Sequence, residues 1–122
     1  DRTKSGPVNI FVIRFEEVEN PRWLTLTHKQ RLAKGKLIID IFHNDQCPLD
    51  WQNSERVKKT ASEFGDSTII NEFDTNARKN VLNYGTLGAI IVNGEYLGTG
   101  PPLSEEDIRK AFQERLKRAL CL

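Results

Sequence analysis

A nearly continuous apolar run, residues 37–42 (LIIDIF), constrains the fold of this chain more than any other feature. A strand exposed on one face alternates apolar and polar residues, whereas a strand buried on both faces does not. The run therefore predicts a central strand in a sheet that is covered on both sides. After a short turn, residues 48–64 carry apolar side chains at helical spacing among charged ones, which predicts a helix leaving this strand. The apolar side chains are Val57, Ala61 and Phe64.

The chain then continues to alternate strands with helices. Residues 67–73 (STIINEF) have the composition of a strand. A helix capped by Asp74 or Thr75 follows and stops at Gly85. Its apolar face is predicted to consist of Ala77, Val81 and Tyr84. Because a helix separates the two strands, we expect them to be parallel neighbours.

Asn93-Gly94 predicts a hairpin, because a type I′ turn needs positive φ at both central residues. The flanking residues 89–92 and 95–97 are the predicted antiparallel strands.

The last helix is predicted to start at Ser104, with Asp107 completing its cap. Its predicted apolar stripe consists of Ile108, Ala111, Phe112, Leu116, Ala119 and Leu120.

Two further elements are predicted before the central strand. Residues 8–15 (VNIFVIRF) are rich in β-branched and aromatic residues, which indicates a first strand. A short helix over residues 27–34 is predicted from Thr27 and Gln30, which resemble a capping box, with Gly35 as its stop. The complete order is β-α-β-α-β-α-β-β-α, an α/β fold whose mixed sheet of four to five strands is flanked by helices.

The length of 122 residues, with 38% hydrophobic and 29% charged composition, is enough for one core and too short for two. We expect a single domain over residues 1–122, with residues 1–18 either as its first strand or as an N-terminal extension. The sequence begins with Asp1 and contains no methionine, so we expect a fragment of a larger protein.

The charge balance and the cysteine content of the chain indicate which partners, location and ligands to expect. Eighteen basic and seventeen acidic residues leave a net charge of +1, and no apolar run is long enough for a membrane span. We therefore expect neither a nucleic-acid nor a membrane partner. Two cysteines are too few for a disulfide framework, which favours a reducing, cytoplasmic location. The histidines and cysteines, at positions 28, 43, 47 and 121, lack ligand spacing, so no metal or cofactor is expected.

The order of elements resembles the thioredoxin fold, and several motifs carry this resemblance. Residues 37–42 followed by Cys47-Pro48 look like the second strand and redox turn of that family. Three later motifs are similar to the C-terminal part of small thioredoxin-like redox proteins. They are Tyr84-Gly85, residues 90–94, and Gly100-Pro101-Pro102 with Ser104-Glu105-Glu106. The resemblance covers residues 37–116 and implies a thioredoxin-like fold.

Two departures from the family pattern bear on function. The redox members carry Cys-x-x-Cys, whereas this turn reads Cys47-Pro48-Leu49-Asp50, so a carboxylate replaces the second thiol. An intramolecular active-site disulfide is therefore impossible. The family also has a cis-proline before the strand at 89–92, and Gly88 occupies that position here. Because a cis bond before a non-proline residue is costly, we expect the substrate-gripping loop to be reshaped.

The candidate catalytic residues are Cys47 and Asp40. The start of a helix stabilises a thiolate at Cys47, whereas an ionised Asp50 would oppose it. The two effects are comparable in size, so a reactive thiol and an inert cysteine both stay open. Asp40 resembles the buried carboxylate that assists proton transfer in thioredoxins; the alternative is a structural carboxylate with satisfied partners.

The candidate positions for binding a substrate or partner are Pro48, Asp50, Trp51, His43 and Gly88. Trp51 would shield the sulfur, form an aromatic contact surface or simply pack in the core or on the surface, and packing is the interpretation favoured by the sequence. His43 would act as a base or hydrogen-bond partner, or would merely end the strand.

Two functions follow from these patterns. The first is a single-cysteine thiol-disulfide oxidoreductase or redox sensor that uses Cys47 with a thiol partner or glutathione. The second is a non-catalytic module that binds an adjacent domain of a larger enzyme. The architecture resembles the thioredoxin-like domain that follows some acetyltransferase domains of the GNAT superfamily, so an acetyltransferase is the adjacent enzyme implied. We favour the second function, because the second cysteine and the cis-proline are both missing.

Overall fold

The computed structural model of the chain describes residues 12–19, 25, 27, 31–98 and 102–122. The strands in this part of the chain are β1 (Leu37–His43), β2 (Thr68–Asp74), β3 (Ala89–Val92) and β4 (Glu95–Gly98). The helices are α1 (Pro48–Ser62), α2 (Arg78–Tyr84) and α3 (Glu105–Leu120), with one 3₁₀ turn at Gly65–Ser67. The architecture is therefore α/β, with a four-stranded mixed sheet and three helices.

The strand predicted to be central is central. The sheet order is β2-β1-β3-β4, in which β1 runs parallel to β2 and antiparallel to β3, and β4 is antiparallel to β3. Ile39 of β1 lies opposite Ile70 of β2 and Val92 of β3. Six of the seven β1 residues are buried, which explains why its sequence is apolar without alternation.

Helices α1 and α3 cover one face of the sheet, and a smaller cluster lies on the other face. On one face Leu37, Ile39 and Ile41 pack into a core with α1 and α3. That core is completed by Val57, Ala61, Ile90, Val92, Ile108 and Phe112. On the other face Phe42 stacks on Phe73, and Tyr84 at the end of α2 closes this smaller cluster. Successive residues of β1 therefore serve two different cores.

The predicted Asn93-Gly94 turn, the stop at Gly85 and the cap at Ser104 are confirmed. Asn93 and Gly94 have φ of 50° and 80°, as a type I′ turn requires. Gly85 ends α2 in the left-handed conformation, with its N–H donating to Val81 O. The hydroxyl of Ser104 accepts a hydrogen bond from the backbone N–H of Asp107 at the start of α3.

The cap predicted at Asp74 or Thr75 is wrong. Helix α2 has Ala77 as its N-cap and no side-chain cap, and the Thr75 hydroxyl faces the carbonyl groups of His43 and Leu87 instead.

Two predictions near the chain ends are wrong for the residues that the structure describes. Residues 12–15 are not in a strand and expose Ile13 and Phe15 by 80% and 96%; residues 8–11 lie outside the described part. A strand needs a neighbouring strand for its backbone groups, and local composition does not supply one. Leu120, placed on the apolar stripe of α3, is 60% exposed, because the buried face of this helix runs through Ile108, Phe112 and Ala119 and Leu120 lies beside it.

The helix predicted over residues 27–34 is absent from its described C-terminal part, residues 31–34. Residues 28–30 lie outside the described part. Thr27, the proposed cap, instead donates its N–H to Tyr84 O and its hydroxyl to Asn83 O. Its hydrogen bonds thus satisfy carbonyl groups of the last turn of α2.

Within the described residues, no helix combines the length and the apolar character needed to cross a bilayer.

Candidate functional site

Cys47 is the last residue of the turn between the central strand and the helix that follows it. It is the N-cap residue of α1, with extended backbone angles, and Pro48 occupies the first helical position. Proline is favoured there because its fixed φ suits the helix and its missing N–H would have had no partner. The Cys47 side chain is partly buried and makes no capping hydrogen bond within the described structure.

Asp50 brings a carboxylate to this thiol. It lies in the first turn of α1, three residues after Cys47. Burial raises the pKa of Asp50 above its ordinary value, and the neighbouring Asn44 backbone, His43 and Cys47 offset this rise only in part. A partly desolvated carboxylate therefore occupies the place of a second thiol.

Gly88 lies against this carboxylate from the other side. A Cβ atom built on Gly88 would lie 2.6 Å from Oδ2 and 3.0 Å from Oδ1 of Asp50. The two departures from the redox pattern, at positions 50 and 88, therefore meet in space although 38 residues separate them. The described residues contain no cis peptide bond.

His43 ends β1 and helps to position the site mainly through its backbone. Its carbonyl accepts hydrogen bonds from the Thr75 N–H at 2.9 Å and the Thr75 hydroxyl at 3.0 Å. The same hydroxyl lies 2.6 Å from Leu87 O, so the buried Thr75 ties the end of β1 to the loop that contains Gly88. The ring Nδ1 of His43 lies 3.2 Å from Asp45 Oδ1.

Asp40 belongs to a different environment from Cys47. It alternates along β1 with Ile39 and Ile41, which face α1 and α3, so its side chain points to the opposite face of the sheet. It is 1% exposed, and its Oδ1 lies 2.5 Å from Arg31 Nη2 and accepts a 2.8 Å hydrogen bond from Asn71 Nδ2. The structure therefore places Asp40 in a buried polar cluster with a salt bridge.

Exposed apolar side chains follow Cys47 in the first turn of α1 and precede Gly88 in its loop. Trp51 is 59% exposed, so of the predicted packing roles it does not have the one in the core. Leu49, between Pro48 and Asp50, is 40% exposed, and Leu87, next to Gly88, is 62% exposed. We call Leu49, Trp51 and Leu87 the apolar rim.

Several positions of functional interest were not found from the sequence. Arg31 and Asn71 as partners of Asp40, and Thr75 as the tie between two loops, carry no local signal. Leu49 and Leu87 could have been found, because a leucine in a turn beside a candidate thiol has no predicted core to enter.

A cavity in the described part of the chain lies away from these positions. Its volume is about 120 Å³, and it is bordered by the start of β4 and the end of α3. None of its lining residues was a predicted site residue. Two of them, Glu95 and Arg118, form a two-bonded ion pair at 2.6 and 2.8 Å. The described residues hold no cluster of three or more potential metal ligands.

Comparison with models of known protein families finds none that matches this chain, and comparison with curated proteins finds no match either.

Proposed function

We propose that this chain is a thioredoxin-like module without an intramolecular redox disulfide, which binds an adjacent domain or another protein through the surface around Cys47. The fold part of the proposal is supported by the order β-α-β-α-β-β-α and by a central strand parallel to one neighbour and antiparallel to the other. This arrangement agrees with the family resemblance of residues 37–116.

The observation that carries the functional part is the Asp50 carboxylate beside the Cys47 thiol. A dithiol cycle needs a second sulfur that can attack the first mixed disulfide. The only other cysteine, Cys121, is exposed at the end of α3. The position of the resolving thiol therefore holds the Asp50 carboxylate. This group can exchange a proton or form a hydrogen bond, but it cannot attack a mixed disulfide as a second thiol would.

The apolar rim supports binding to a protein. Exposed aromatic and aliphatic side chains are the usual anchors of protein interfaces, and a tryptophan often contributes more than about 2 kcal/mol. Leu49 and Trp51 lie in the first turn of a helix, and Thr75 holds Leu87 in place through its backbone. The rim is thus presented by fixed backbone, which lowers the entropy lost on binding. An acetyltransferase domain in the same polypeptide is the partner implied by the family resemblance.

Site-directed photocrosslinking in cells of the source organism tests this proposal. A photoreactive phenylalanine analogue at position 51 should give a discrete crosslinked product, either to a flanking domain or to one other protein. The same analogue at Tyr96, which is 45% exposed on β4, is the matched control. The product should weaken when Leu87→Ser is added. Equal products from positions 51 and 96 would refute the proposed surface.

Single-thiol redox chemistry is the second candidate function. It is favoured by the placement of Cys47 at the start of a helix, where backbone N–H groups stabilise a thiolate. In this reaction the Cys47 thiolate would attack oxidised glutathione, form a mixed disulfide and release one glutathione thiolate. Mass spectrometry after treatment with oxidised glutathione should then show an adduct that Cys47→Ser removes and Cys121→Ser leaves. An adduct confined to Cys121 would exclude this function.

A further inference from the structure

The cavity at the end of α3 contains a buried cation whose hydrogen bonds are incomplete. The side chain of Arg115 is 12% exposed, and its Nε atom is buried without a hydrogen-bond partner among the described residues. Nη1 of the same guanidinium donates to Ala111 O at 3.3 Å, a long hydrogen bond within its own helix. Because a buried charged group is costly unless it is paired and hydrogen-bonded, this guanidinium favours a further acceptor.

The neighbouring carboxylate of Glu95 does not supply that acceptor. It forms two hydrogen bonds with Arg118, at 2.6 and 2.8 Å, whereas its Oε2 lies 3.4 Å from Arg115 Nε without forming a hydrogen bond. The hydrogen bonds from Arg118 hold the pKa of Glu95 below its ordinary value, so this carboxylate is ionised at neutral pH. Among the described side chains that line the cavity, two guanidinium groups and one carboxylate leave an excess of positive charge.

The walls of the cavity are fixed by hydrogen bonds. The Gly35 N–H donates to Ala119 O at 3.0 Å, which holds the segment that contains Leu32 against the end of α3. On the side of the β-hairpin, Asn93 Oδ1 accepts the Ile38 N–H at 2.8 Å. The cavity is therefore formed before a ligand enters, which reduces the entropy lost on binding.

The size and the lining of the cavity limit what it can hold. Its volume of about 120 Å³ is that of about four water molecules at ~30 Å³ each. Leu32, Ala119 and Leu122 provide apolar walls beside the two arginines. An anion that suits this cavity is therefore small, carries a single negative charge and has a short apolar part.

We propose that this cavity binds a small monocarboxylate, whose carboxylate accepts hydrogen bonds from Arg115 and whose short alkyl part packs against the apolar walls. A carboxylate matches the planar array of donors of a guanidinium group, and such charge-assisted hydrogen bonds are stronger than neutral ones. The cavity lies apart from the apolar rim, so this proposal goes beyond the function proposed for that surface and can fail separately from it.

The test is a titration with sodium propionate at low salt and slightly acidic pH, followed by the NMR signals of the arginine Nε–H groups. The Arg115 signal should shift saturably, with a dissociation constant of about 1–10 mM, because so small a ligand makes few contacts. Propionamide, a neutral molecule of the same shape, and sulfate, which lacks an apolar part, should each bind at least about threefold more weakly. Arg109 on the same helix is the internal control, because its Nε already donates to Glu63 Oε2 at 2.7 Å.

Three variants separate the contributions of charge and space, and binding to them is followed by the backbone amide signals of the cavity walls. Glu95→Gln keeps the shape of the side chain and removes the competing charge, so it should tighten propionate binding about threefold to tenfold. Arg115→Met keeps an unbranched apolar side chain without the charge and should abolish binding. Ala119→Leu fills part of the cavity without changing any charge and should also abolish binding.

Absence of a saturable shift of the Arg115 signal would overturn the proposal. Equal binding of propionamide, an equal shift of the Arg109 signal, or unchanged binding to Ala119→Leu would overturn it as well. If sulfate binds more tightly than propionate, the assignment to a monocarboxylate is wrong. If Arg115→Met does not fold, loss of binding in Ala119→Leu supports the site, and tighter binding in Glu95→Gln supports the role of the arginine charge.

Discussion

The salt bridge between Arg31 and Asp40 provides a quantitative prediction about the role of a candidate catalytic residue. The Asp40 side chain is 1% exposed, whereas that of Arg31 is 48% exposed. Arg31→Ala therefore leaves a buried carboxylate with one partner fewer. Removing one member of a fully buried pair costs about 3–5 kcal/mol. Because Arg31 is half exposed and water can reach its side of the pair, we expect Arg31→Ala to lower the free energy of unfolding by about 2 kcal/mol.

Asp40→Asn is expected to cost less, about 1 kcal/mol, because the carboxamide oxygen can still accept the hydrogen bond from Asn71. In the Asp40→Asn background the Arg31→Ala change removes no partner of a buried charge. The double variant should therefore be more stable than the sum of the single changes implies, with a coupling energy of about 1–2 kcal/mol.

Urea unfolding followed by the helical circular dichroism signal measures these energies. With a denaturant slope of about 1–1.5 kcal/mol per molar, the Arg31→Ala midpoint should fall by about 1.5 M. Arg109→Ala is the matched control, because Arg109 pairs with Glu63 at the surface, where the two side chains are 35% and 43% exposed. That change should cost less than about 1 kcal/mol. Equal costs for Arg31→Ala in the two backgrounds would refute the coupling.

Three further changes should alter stability in defined ways. Because burial raises the pKa of Asp50 in the folded chain, Asp50→Asn should stabilise it at neutral pH, and this gain should disappear as pH falls below the ordinary value of 3.8 in pH-dependent urea titrations. Asn93→Ala removes the acceptor of the Ile38 N–H at 2.8 Å and should cost about 2 kcal/mol in thermal or urea unfolding, whereas Asn93→Asp keeps the acceptor and should cost less. Ser104→Ala removes the cap of α3 and should lower the free energy of unfolding by about 1 kcal/mol, measured as a lower urea midpoint.

Part of the candidate site could be predicted from local sequence patterns. The thiol at the start of α1 was predicted because a buried strand, a turn and Pro48 are close in sequence. The opposing carboxylate at Asp50 was predicted for the same reason, since three residues in a helix turn cannot be far apart. The partners of Asp40 were not predicted, because Asn71 and Arg31 reach it only through strand pairing and the path of the preceding chain.

Local sequence signals were sufficient to predict four features: the unalternating central strand, the helix after Cys47, the Asn93-Gly94 turn and the Ser104 cap. These depend on periodicity, turn conformation and capping within a few residues. The three-dimensional arrangement was needed to show that Gly88 makes room for Asp50 and that residues 12–15 are not in a strand. Those outcomes depend on contacts between segments that are distant in sequence. The residues next to a glycine or an apolar run do not indicate which distant segment will pack against it.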